Sequence, residues 1–526
     1  MKTILTTAKS HGRSVNTGFR SALFNSLLCA LMLTSHSALA ESALADLIKA
    51  GERSNALALI RAGIDVNMPQ NDGTTPLHWA VYQVDEDLVS TLLRNEANPN
   101  VSNNFGATPL SEAVRVANVE LVEALLNAGA DPSLANADGQ TPLMLAAWTG
   151  IEEVAKLLID HGADVNAEEN WTGQSALMWA ASRKHLAMTK LLIANGADVS
   201  LRARAFDWST QITSEPRNQY RPAGGLTPLL YAARSGCLRC VQAIVEAGAD
   251  VNMPTPEGVT PLMVAIDNFH FDSAHYLLDQ EANPHSFDWW GRTPLYLAID
   301  VRTIEARGQR LDQVQQQEAL ELARRLLEMG VFADPVLNFG RPGRGGGNGR
   351  FSDEHLSTGA TPLLRAAVSH DADAVRLLLE FGAEVDYPNI FGATPLIVAS
   401  GLATPRGVLS DGTFYRAADV ETRVINTLQL LLDAGADINA RVTDTTSYTA
   451  FIPRHNSMTD RQGQTAIYGP GKWGWVKVAQ FLVDHGADVD ITDFYGKTPV
   501  DSALAKAGGE QEEVWEELAD YLRSVN

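Results

Sequence analysis

The triplet Thr-Pro-Leu recurs along the chain at intervals close to 33 residues, and this recurrence restricts the possible folds more than any other feature. Eight exact copies and four degenerate ones begin at residues 42, 75, 108, 141, 175, 227, 260, 293, 361, 394, 465 and 498. Most neighbouring copies lie 33 or 34 residues apart, and the exceptions are all longer. Because one such unit cannot bury its apolar face alone, the pattern predicts about twelve units stacked into a solenoid.

Each unit has the sequence pattern of two short helices. Thr141 suits the cap of a first helix, and the Pro after it fits the first turn because its missing N–H needs no partner there. A turn at Gly150 leads into a second apolar helix, which ends at Gly162, a residue suited to a left-handed helix C-terminus. Turn signals such as Asp138-Gly139 connect successive units. The sequence therefore predicts an all-α repeat solenoid of helix–turn–helix–hairpin units.

These motifs resemble those of the ankyrin-repeat family. Thr75–Ala80 has the sequence TPLHWA, and Gly162–Asn166 has the sequence GADVN. The shorter pattern GAD recurs at residues 129–131, 196–198, 248–250, 435–437 and 486–488. The resemblance covers essentially the whole chain after residue 40. It implies a curved stack that binds a protein on its concave face, without catalysis or a cofactor, and a hydrogen-bonding role for His78 within its repeat.

Residues 1–40 have the pattern of a secretory signal peptide. They contain four basic residues and no acidic ones, an apolar run from Ala22 to Leu33, and a small-residue cleavage pattern that ends at Ala40. The apolar run is shorter than the roughly 20 residues of a membrane span. We therefore expect residues 41–526 to be exported to the periplasm or secreted. An amphipathic N-terminal helix of a cytosolic protein is the alternative.

The charge balance bears on the class of partner. Residues 41–526 hold 63 acidic and 37 basic side chains, because residues 1–40 contain four of the 41 basic residues. A net charge near −26 repels phosphate backbones and anionic lipid headgroups, so we expect no nucleic-acid partner. No other segment of the sequence is long and apolar enough to predict a membrane span.

Long insertions interrupt the repeat near residues 201–225, 301–358, 401–424 and 440–463. The range 301–358 contains two insertions, one before and one after Gly330, which makes five in all. Three of the five lengthen a hairpin by 18 or 19 residues, and the second of these hairpins occupies residues 331–358. Since all three fall at the same place in their repeats, they should project from the same edge of the stack. The other two insertions separate paired helices, and their sequences predict a helical extension for the first and a loop for the second.

The hairpin insertions differ from the rest of the chain in composition, with 10 basic and 7 acidic residues. Arg and aromatic residues are enriched at protein interfaces, which makes these loops candidates for partner binding. The predicted contact residues are Trp208, Arg217, Arg221, Arg344 and Arg454. The alternative is that the loops are surface variation and their Arg side chains pair with the acidic body.

A local break in the pattern occurs at residues 465–475, TAIYGPGKWGW. Pro470 stands where other units have an Ala pair, and a Pro inside a helix costs about 3 kcal/mol. The first helix of this unit should therefore be short or bent. Trp473 and Trp475 follow it, and they either fill the resulting void or form an aromatic patch for a partner.

Three further binding candidates are Tyr82, Trp148 and Arg234, which end the first helices of their units. The family resemblance places this position on the concave face. Trp79 and Trp179 occupy the variable slot of the family motif and are predicted to pack within the repeat.

Two cysteines, Cys237 and Cys240, lie at the start of a second helix. Residues three apart on a helix share a face, at a separation compatible with a disulfide, which an oxidising compartment would favour. The same spacing occurs in redox enzymes, where a helix N-terminus lowers the thiol pKa.

A second hypothesis is therefore an exported enzyme or redox protein, whose site is the cysteine pair or insertion residues such as Arg454, His455 and Asp460. A third is a binder of a small ligand or an envelope polymer, anchored on exposed Trp. The sequence contains no familiar catalytic or phosphate-binding motif and no metal-ligand spacing, so we expect no metal and no cofactor. Binding of a partner protein is the leading hypothesis.

Overall fold

A computed structural model describes residues 43–206, 223–303, 311–338, 358–402, 419–443, 461–504 and 512–525. These residues contain 24 helices in twelve successive pairs. The chain is an all-α repeat solenoid, with the predicted number of units. The only strands among the described residues are β1 (Ala205–Phe206) and β2 (Ala223–Gly224), which pair antiparallel at the base of the first insertion.

The first helix of each pair is called the inner helix and the second the outer helix. The inner helices are α1 (Ala43–Lys49), α3 (Pro76–Tyr82), α5 (Pro109–Arg115), α7 (Pro142–Thr149), α9 (Ala176–Ser182), α11 (Pro228–Ser235), α13 (Pro261–Asp267), α15 (Pro294–Val301), α17 (Pro362–Val368), α19 (Pro395–Ala399), α21 (Tyr468–Trp473) and α23 (Pro499–Leu504). The outer helices are α2 (Arg53–Arg61), α4 (Glu86–Arg94), α6 (Val119–Asn127), α8 (Glu152–Asp160), α10 (Leu186–Ala194), α12 (Leu238–Glu246), α14 (Phe271–Asp279), α16 (Gln313–Glu328), α18 (Ala372–Glu380), α20 (Val420–Asp433), α22 (Val476–Asp484) and α24 (Glu512–Ser524).

Local capping explains where these helices begin. The hydroxyl of Thr108 accepts a hydrogen bond from the N–H of Ser111 (3.0 Å), and Pro109 occupies the first helical position. Some outer helices have acidic or amide caps, as where the Asp85 carboxylate accepts from the N–H of Leu88 (3.0 Å). Each such cap typically contributes about 1 kcal/mol.

The described residues form two compact units. The first comprises residues 43–146 and 153–164, and the second comprises residues 147–152 and those from 165 onward. In the first unit α1, α3 and α5 pack in series, and in the second α9, α11, α13, α15, α17 and α19 do so. Their contact faces hold buried Leu beside small residues such as Ala232 and Ala233, which allow close approach of neighbouring helices.

The hairpins between repeats share one closing hydrogen bond. In an ordinary hairpin the N–H of Thr255 donates to the carbonyl of Val259, the residue before the capping Thr260 (2.9 Å). Across the three hairpin insertions the equivalent bond joins Ala203 to Leu226, Leu337 to Ala360, and Val442 to Gln464. Each insertion therefore leaves its repeat at the hairpin tip, between the two residues of the closing bond.

The roots of the insertions also hydrogen-bond to the preceding hairpin. In an ordinary pair of hairpins the N–H of Trp289 donates to the carbonyl of Glu257 (2.8 Å). The insertion roots make the same contact from Arg204 to Thr172, from Asn338 to Trp290, and from Thr443 to Phe391. The hairpin-to-hairpin contacts thus continue through the residues that flank each insertion.

The insertions between paired helices lengthen the outer helices that follow them. α16 has 16 residues and α20 has 14, where most outer helices have nine. The Asp312 carboxylate caps α16 by accepting from the N–H of Gln315 (2.9 Å). The predicted helical extension is thus present in α16, whereas residues 304–310 and 403–418 lie outside the described part of the chain.

The inner helix α21 is short, with six residues, and it starts three residues after Thr465 rather than one. This shift brings Pro470 into the first turn, where a missing N–H leaves no hydrogen bond unmade. The Tyr468 hydroxyl holds the helix start by contacting the carbonyls of Ile491 (2.6 Å) and Lys497 (2.7 Å).

Candidate functional site

Three positions of each inner helix carry the side chains of the candidate site. They lie four, seven and eight residues after the capping Thr or Ser, and together we call them the inner face. In the second unit this face is accessible from Trp148, at the end of α7, to Asn268, with Tyr231 buried within it. It includes Trp148, Trp179, Ser182, Arg183, Tyr231, Arg234, Ser235, Asp267 and Asn268.

An aromatic platform stands at one end of this face. The indole of Trp148 is 45% exposed and meets that of Trp179 edge-on, with the ring centroids 5.5 Å apart. The guanidinium of Arg183 lies 4.3 Å from the Trp148 ring centroid, within range of a cation–π interaction. The contact fixes a positive charge beside an accessible aromatic surface.

A cavity of about 350 Å³ lies beside this platform, lined by Ser182, Tyr231, Arg234, Ser235 and Asn268. Backbone carbonyls hold its polar groups: the hydroxyl of Ser235 donates to Ala181 (2.9 Å), and the amide of Asn268 donates to Val264 (2.8 Å). These contacts leave the cavity wall little freedom to move.

Tyr231 forms the floor of the cavity and is 6% exposed. Burial raises the pKa of its phenol, so the ring stays neutral at physiological pH. The Arg234 guanidinium lies 4.9 Å from the Tyr231 ring centroid. A second cation therefore stands over an aromatic ring, one repeat after Arg183.

Two histidines connect neighbouring repeats behind the cavity. Nε2 of His185 lies 3.1 Å from the carbonyl of Trp148, and Nε2 of His270 lies 3.2 Å from that of Arg234. Burial, with a smaller effect of Lys184, lowers the pKa of His270. Its ring passes so close to Gly236 that a Cβ there would lie 2.3 Å from Cε1, which explains the glycine at this turn.

The first unit has its own aromatic inner face. Tyr82 is 53% exposed, and its ring centroid lies 5.7 Å from that of Trp79. Lys49 lies over Trp79 at 4.8 Å, and Arg115 lies over Tyr82 at 5.7 Å. Here the Arg115 guanidinium also pairs with Glu112 at 2.5 Å, so its charge is already compensated.

Farther along the second unit the same positions are buried. Arg365 and Asp300 are each 1% exposed, and Nε of Arg365 donates to Oδ1 of Asp300 (2.5 Å). Arg302 and Asp371 form another buried pair, with Nε and Oδ2 2.6 Å apart. The sequence pattern did not reveal these pairs, although the opposite charges of Asp300 and Arg365 at inner-face positions of adjoining repeats could have indicated the first.

One predicted binding residue is wrong. Trp475 is 3% exposed, because its ring packs against the backbone of Gly401, where a Cβ would come within 2.5 Å of Cζ3. Trp473 is half-buried, and its indole N–H donates to the Gly401 carbonyl (2.9 Å). The arrangement matches the alternative in which the two Trp fill a void: their rings pack against Gly401, at the end of the inner helix of the tenth repeat.

The other predicted residues fall into two groups. Tyr82, Trp148 and Arg234 have exposed side chains on the inner face, and the last two belong to the same accessible region of the second unit. The insertion residues lie outside the described part of the chain, as do the enzyme candidates His455 and Asp460. They are Trp208, Arg217, Arg221, Arg344 and Arg454.

The cysteines Cys237 and Cys240 form a disulfide at the N-terminus of α12. Cys240 is fully buried, and its N–H donates to Sγ of Cys237 (3.2 Å). Among the described side chains, no three His, Cys, Asp or Glu residues are placed to share a metal ion. None of the described helices combines the length and the apolar character needed to cross a membrane.

Family models of the ankyrin repeat match more than half of the chain. A model of three consecutive ankyrin repeats matches residues 44–136, 110–203, 210–288 and 229–306, and a single-repeat model matches residues 358–390. The matches include α7, α9, α11 and α13, which carry the accessible inner face of the second unit.

Similar proteins have diverse names. A probable E3 ubiquitin-protein ligase XBOS33 from Oryza sativa subsp. japonica is 28% identical over 192 residues, which are 35% of this chain and 37% of that protein. Inversin from Canis lupus familiaris is 26% identical over 38% of this chain and 15% of its own length. An L-asparaginase from Dirofilaria immitis is 30% identical over 16% of this chain and 15% of that enzyme. The matched segments thus span at most 37% of the length of any of these three relatives.

A solved structure, the ankyrin repeat domain of Bcl-3, is 26% identical to this chain. The match has a TM-score of 0.37 and covers 43% of this chain and 95% of that domain.

Proposed function

Because the chain belongs to the ankyrin-repeat family, whose members are protein-interaction scaffolds, we propose that it is a non-enzymatic scaffold that captures a partner protein. The proposed capture site is the inner face of the second unit, which includes the cavity lined by Arg234. One observation carries this proposal: the same face combines an exposed Trp, two Arg that lie over aromatic rings, and a cavity whose wall is hydrogen-bonded to the backbone.

The residue types at this site are those that dominate binding energy in protein interfaces. Trp, Tyr and Arg are enriched among interface hot spots, where they fill or rim pockets that exclude water. Trp148 offers a ring surface, and Tyr231 a buried floor. Because these rings are fixed by their neighbours before a partner arrives, little conformational entropy is lost on binding.

The net charge supports a protein rather than a nucleic acid as partner. The whole chain carries a formal net charge of −22 at pH 7, which opposes binding of a polyphosphate backbone. The hairpin insertions provide a second contact edge in this proposal, since their roots at Arg204, Asn338 and Thr443 are hydrogen-bonded into the hairpin stack.

We place the protein in the periplasm or outside the cell. The signal-peptide pattern of residues 1–40 supports export, and the disulfide between Cys237 and Cys240 is a bond that oxidising compartments sustain. The enzyme hypothesis gains no support from the L-asparaginase match, which covers 15% of that enzyme.

Co-purification from a periplasmic extract tests the proposal. We expect the tagged wild-type protein to retain one partner in stoichiometric amount, and we expect Trp148→Ala to lose most of it. Phe332→Ala is the matched control, because Phe332 is an aromatic residue of the same unit, 67% exposed, that lies beyond the end of α16 and off the inner face. Equal retention by all three proteins would move the capture site away from the inner face.

A further inference from the structure

The inner face of the second unit carries two cations without carboxylate partners, Arg183 and Arg234, and Lys184 directly follows Arg183 in the chain. Arg183, Lys184 and Arg234 are exposed, and no carboxylate among the described residues lies within 4.0 Å of their charged groups. Seven other described arginines of this unit form ion pairs with carboxylates, whereas Arg202, Arg204 and Arg441 donate to backbone carbonyls: the seven are Arg292, Arg302, Arg324, Arg325, Arg365, Arg376 and Arg523. The chain has 63 acidic and 41 basic side chains, so most positive charges could find a carboxylate partner. Positive charges that lack one on this face indicate that the site accepts a negatively charged group.

We propose that the segment captured at this site is extended and acidic, with at least two Asp or Glu side chains that reach Arg183 and Arg234. This inference rests on the proposed capture function and names the chemistry of the partner. A guanidinium stacked on a ring keeps its N–H donors at the edge, where they can hydrogen-bond a carboxylate.

The spacing of the two guanidinium groups defines the spacing of the acidic residues. Arg183 and Arg234 belong to adjacent repeats, whose helices stack about 10 Å apart. A chain in the extended polyproline II conformation advances about 3.1 Å per residue with three residues per turn, so carboxylates three residues apart share a face and lie about 9 Å apart. The chain between them crosses the cavity, and a flanking apolar or aromatic side chain meets the exposed ring of Trp148.

Asp267, the acidic residue of the inner face in the seventh repeat, does not pair with Arg183 or Arg234. Asp267 stands in the next repeat at the position of Arg234, and its carboxylate lies 3.8 Å from Nη1 of Arg292. The local positive charge around the cavity therefore persists although the whole chain is acidic.

The overall charge limits the length of the acidic segment. A long polyanion would be repelled by a chain with net charge −22. A short acidic segment makes close contacts with the two guanidinium groups, and its repulsion from more distant carboxylates is screened beyond about 8 Å at physiological salt. The site thus fits two or three carboxylates within a chain that is otherwise neutral.

A random nonapeptide library displayed on phage is the probe for this inference. We expect the wild-type protein to select peptides enriched in Asp or Glu pairs three residues apart. The double variant Arg183→Gln/Arg234→Gln should select no such enrichment. Arg376→Gln/Arg523→Gln removes the same charge from exposed outer-helix positions and should select like the wild type.

A synthetic copy of a selected peptide gives the quantitative test. We expect its affinity to fall about tenfold when its two acidic residues become Gln, and by a similar factor for the Arg183→Gln/Arg234→Gln protein. Absence of acidic enrichment, or identical selections by both double variants, would overturn the inference. If Trp148 is nevertheless needed for co-purification, the capture function stands and only its acidic specificity fails.

Discussion

The carboxylate of Asp334 accepts a hydrogen bond from the backbone N–H of Glu384 (3.0 Å) through Oδ2, while its Oδ1 is buried without a donor among the described residues. Five repeats have Asn at this position, and the side-chain amide makes two contacts with the next repeat. Asn166, for example, accepts from the N–H of Asp198 (2.8 Å) and donates to the carbonyl of Gly196 (3.0 Å). An Asp can make only the first contact.

Asp386 shows the same arrangement one repeat later, because its Oδ2 accepts from the N–H of Asp437 (2.8 Å) and its Oδ1 has no donor in the part of the chain that the structure describes. We therefore predict that Asp334→Asn and Asp386→Asn each stabilise the protein at pH 7 by about 1 kcal/mol, since the new N–H₂ supplies the missing donor. The midpoint of urea unfolding measures the effect. Asp490→Asn is the control at an exposed copy of the same position and should leave the midpoint unchanged.

The same two carboxylates predict a pH dependence. Burial raises the pKa of Asp334 and of Asp386, and the neighbouring acidic groups Glu384 and Asp437 add to the effect. Because the folded-state pKa is raised, folding favours the protonated form of each carboxyl. Protonation therefore stabilises the folded protein fully below the ordinary pKa of 3.8, and this stabilisation is lost as the pH rises through the folded-state pKa. The advantage of Asp334→Asn/Asp386→Asn over the wild type should therefore be larger at pH 7 than at pH 4. Unfolding midpoints that differ by the same amount at both pH values would contradict this assignment.

For the buried pair of Arg365 and Asp300, we predict that replacing one partner lowers the free energy of unfolding more than replacing both. Arg365→Met alone leaves the Asp300 carboxylate buried without its cation and should destabilise the fold by about 3 to 5 kcal/mol. The double change Arg365→Met/Asp300→Leu removes both charges and should cost less than the single one. Denaturant unfolding of the three proteins gives the comparison, and a double variant that loses as much as Arg365→Met would show that packing, not charge, governs this site.

The close approach of Trp475 to Gly401 predicts that a side chain at position 401 would clash, and Gly435 offers a control position without such a neighbour. Both Gly401 and Gly435 have φ near +90°, but a Cβ on Gly401 would meet Trp475 at 2.5 Å, whereas a Cβ on Gly435 would meet nothing within 4 Å. Gly435→Ala should cost about 1 kcal/mol from backbone strain alone. Gly401→Ala should cost more and should change the near-ultraviolet circular dichroism of the Trp473 and Trp475 pair. Equal losses in stability would mean that the two rings can move aside freely.

The fold was predictable because its determinants are local and repeated. A Thr-Pro pair such as Thr108-Pro109 marks a helix start through contacts within four residues of sequence, and the twelve exact and degenerate Thr-Pro-Leu triplets give the number of repeats. The candidate site was predictable only in part. The exposed positions of Trp148 and Arg234 follow from the repeat register, but the burial of Trp475 depends on Gly401, which is 74 residues away in the sequence.

Other features depend on contacts between repeats that sequence patterns do not show. Ser182 and Asn268 lie in different repeats, and nothing in either local sequence indicates that they line one cavity. The pairing of Arg365 with Asp300 likewise depends on the stacking of two inner helices. Distances between side chains, rather than the positions of helices, were the information that the sequence lacked.

Site-specific photo-crosslinking in intact cells tests most directly whether the inner face of the second unit captures a protein. p-Benzoylphenylalanine would be placed at position 182, in the cavity wall, and in a control protein at position 314, an outer-helix site whose Val side chain is 67% exposed. We predict that irradiation produces one discrete heavier adduct from position 182 and none from position 314. An adduct from position 314 alone would contradict the assignment of the inner face as the capture site.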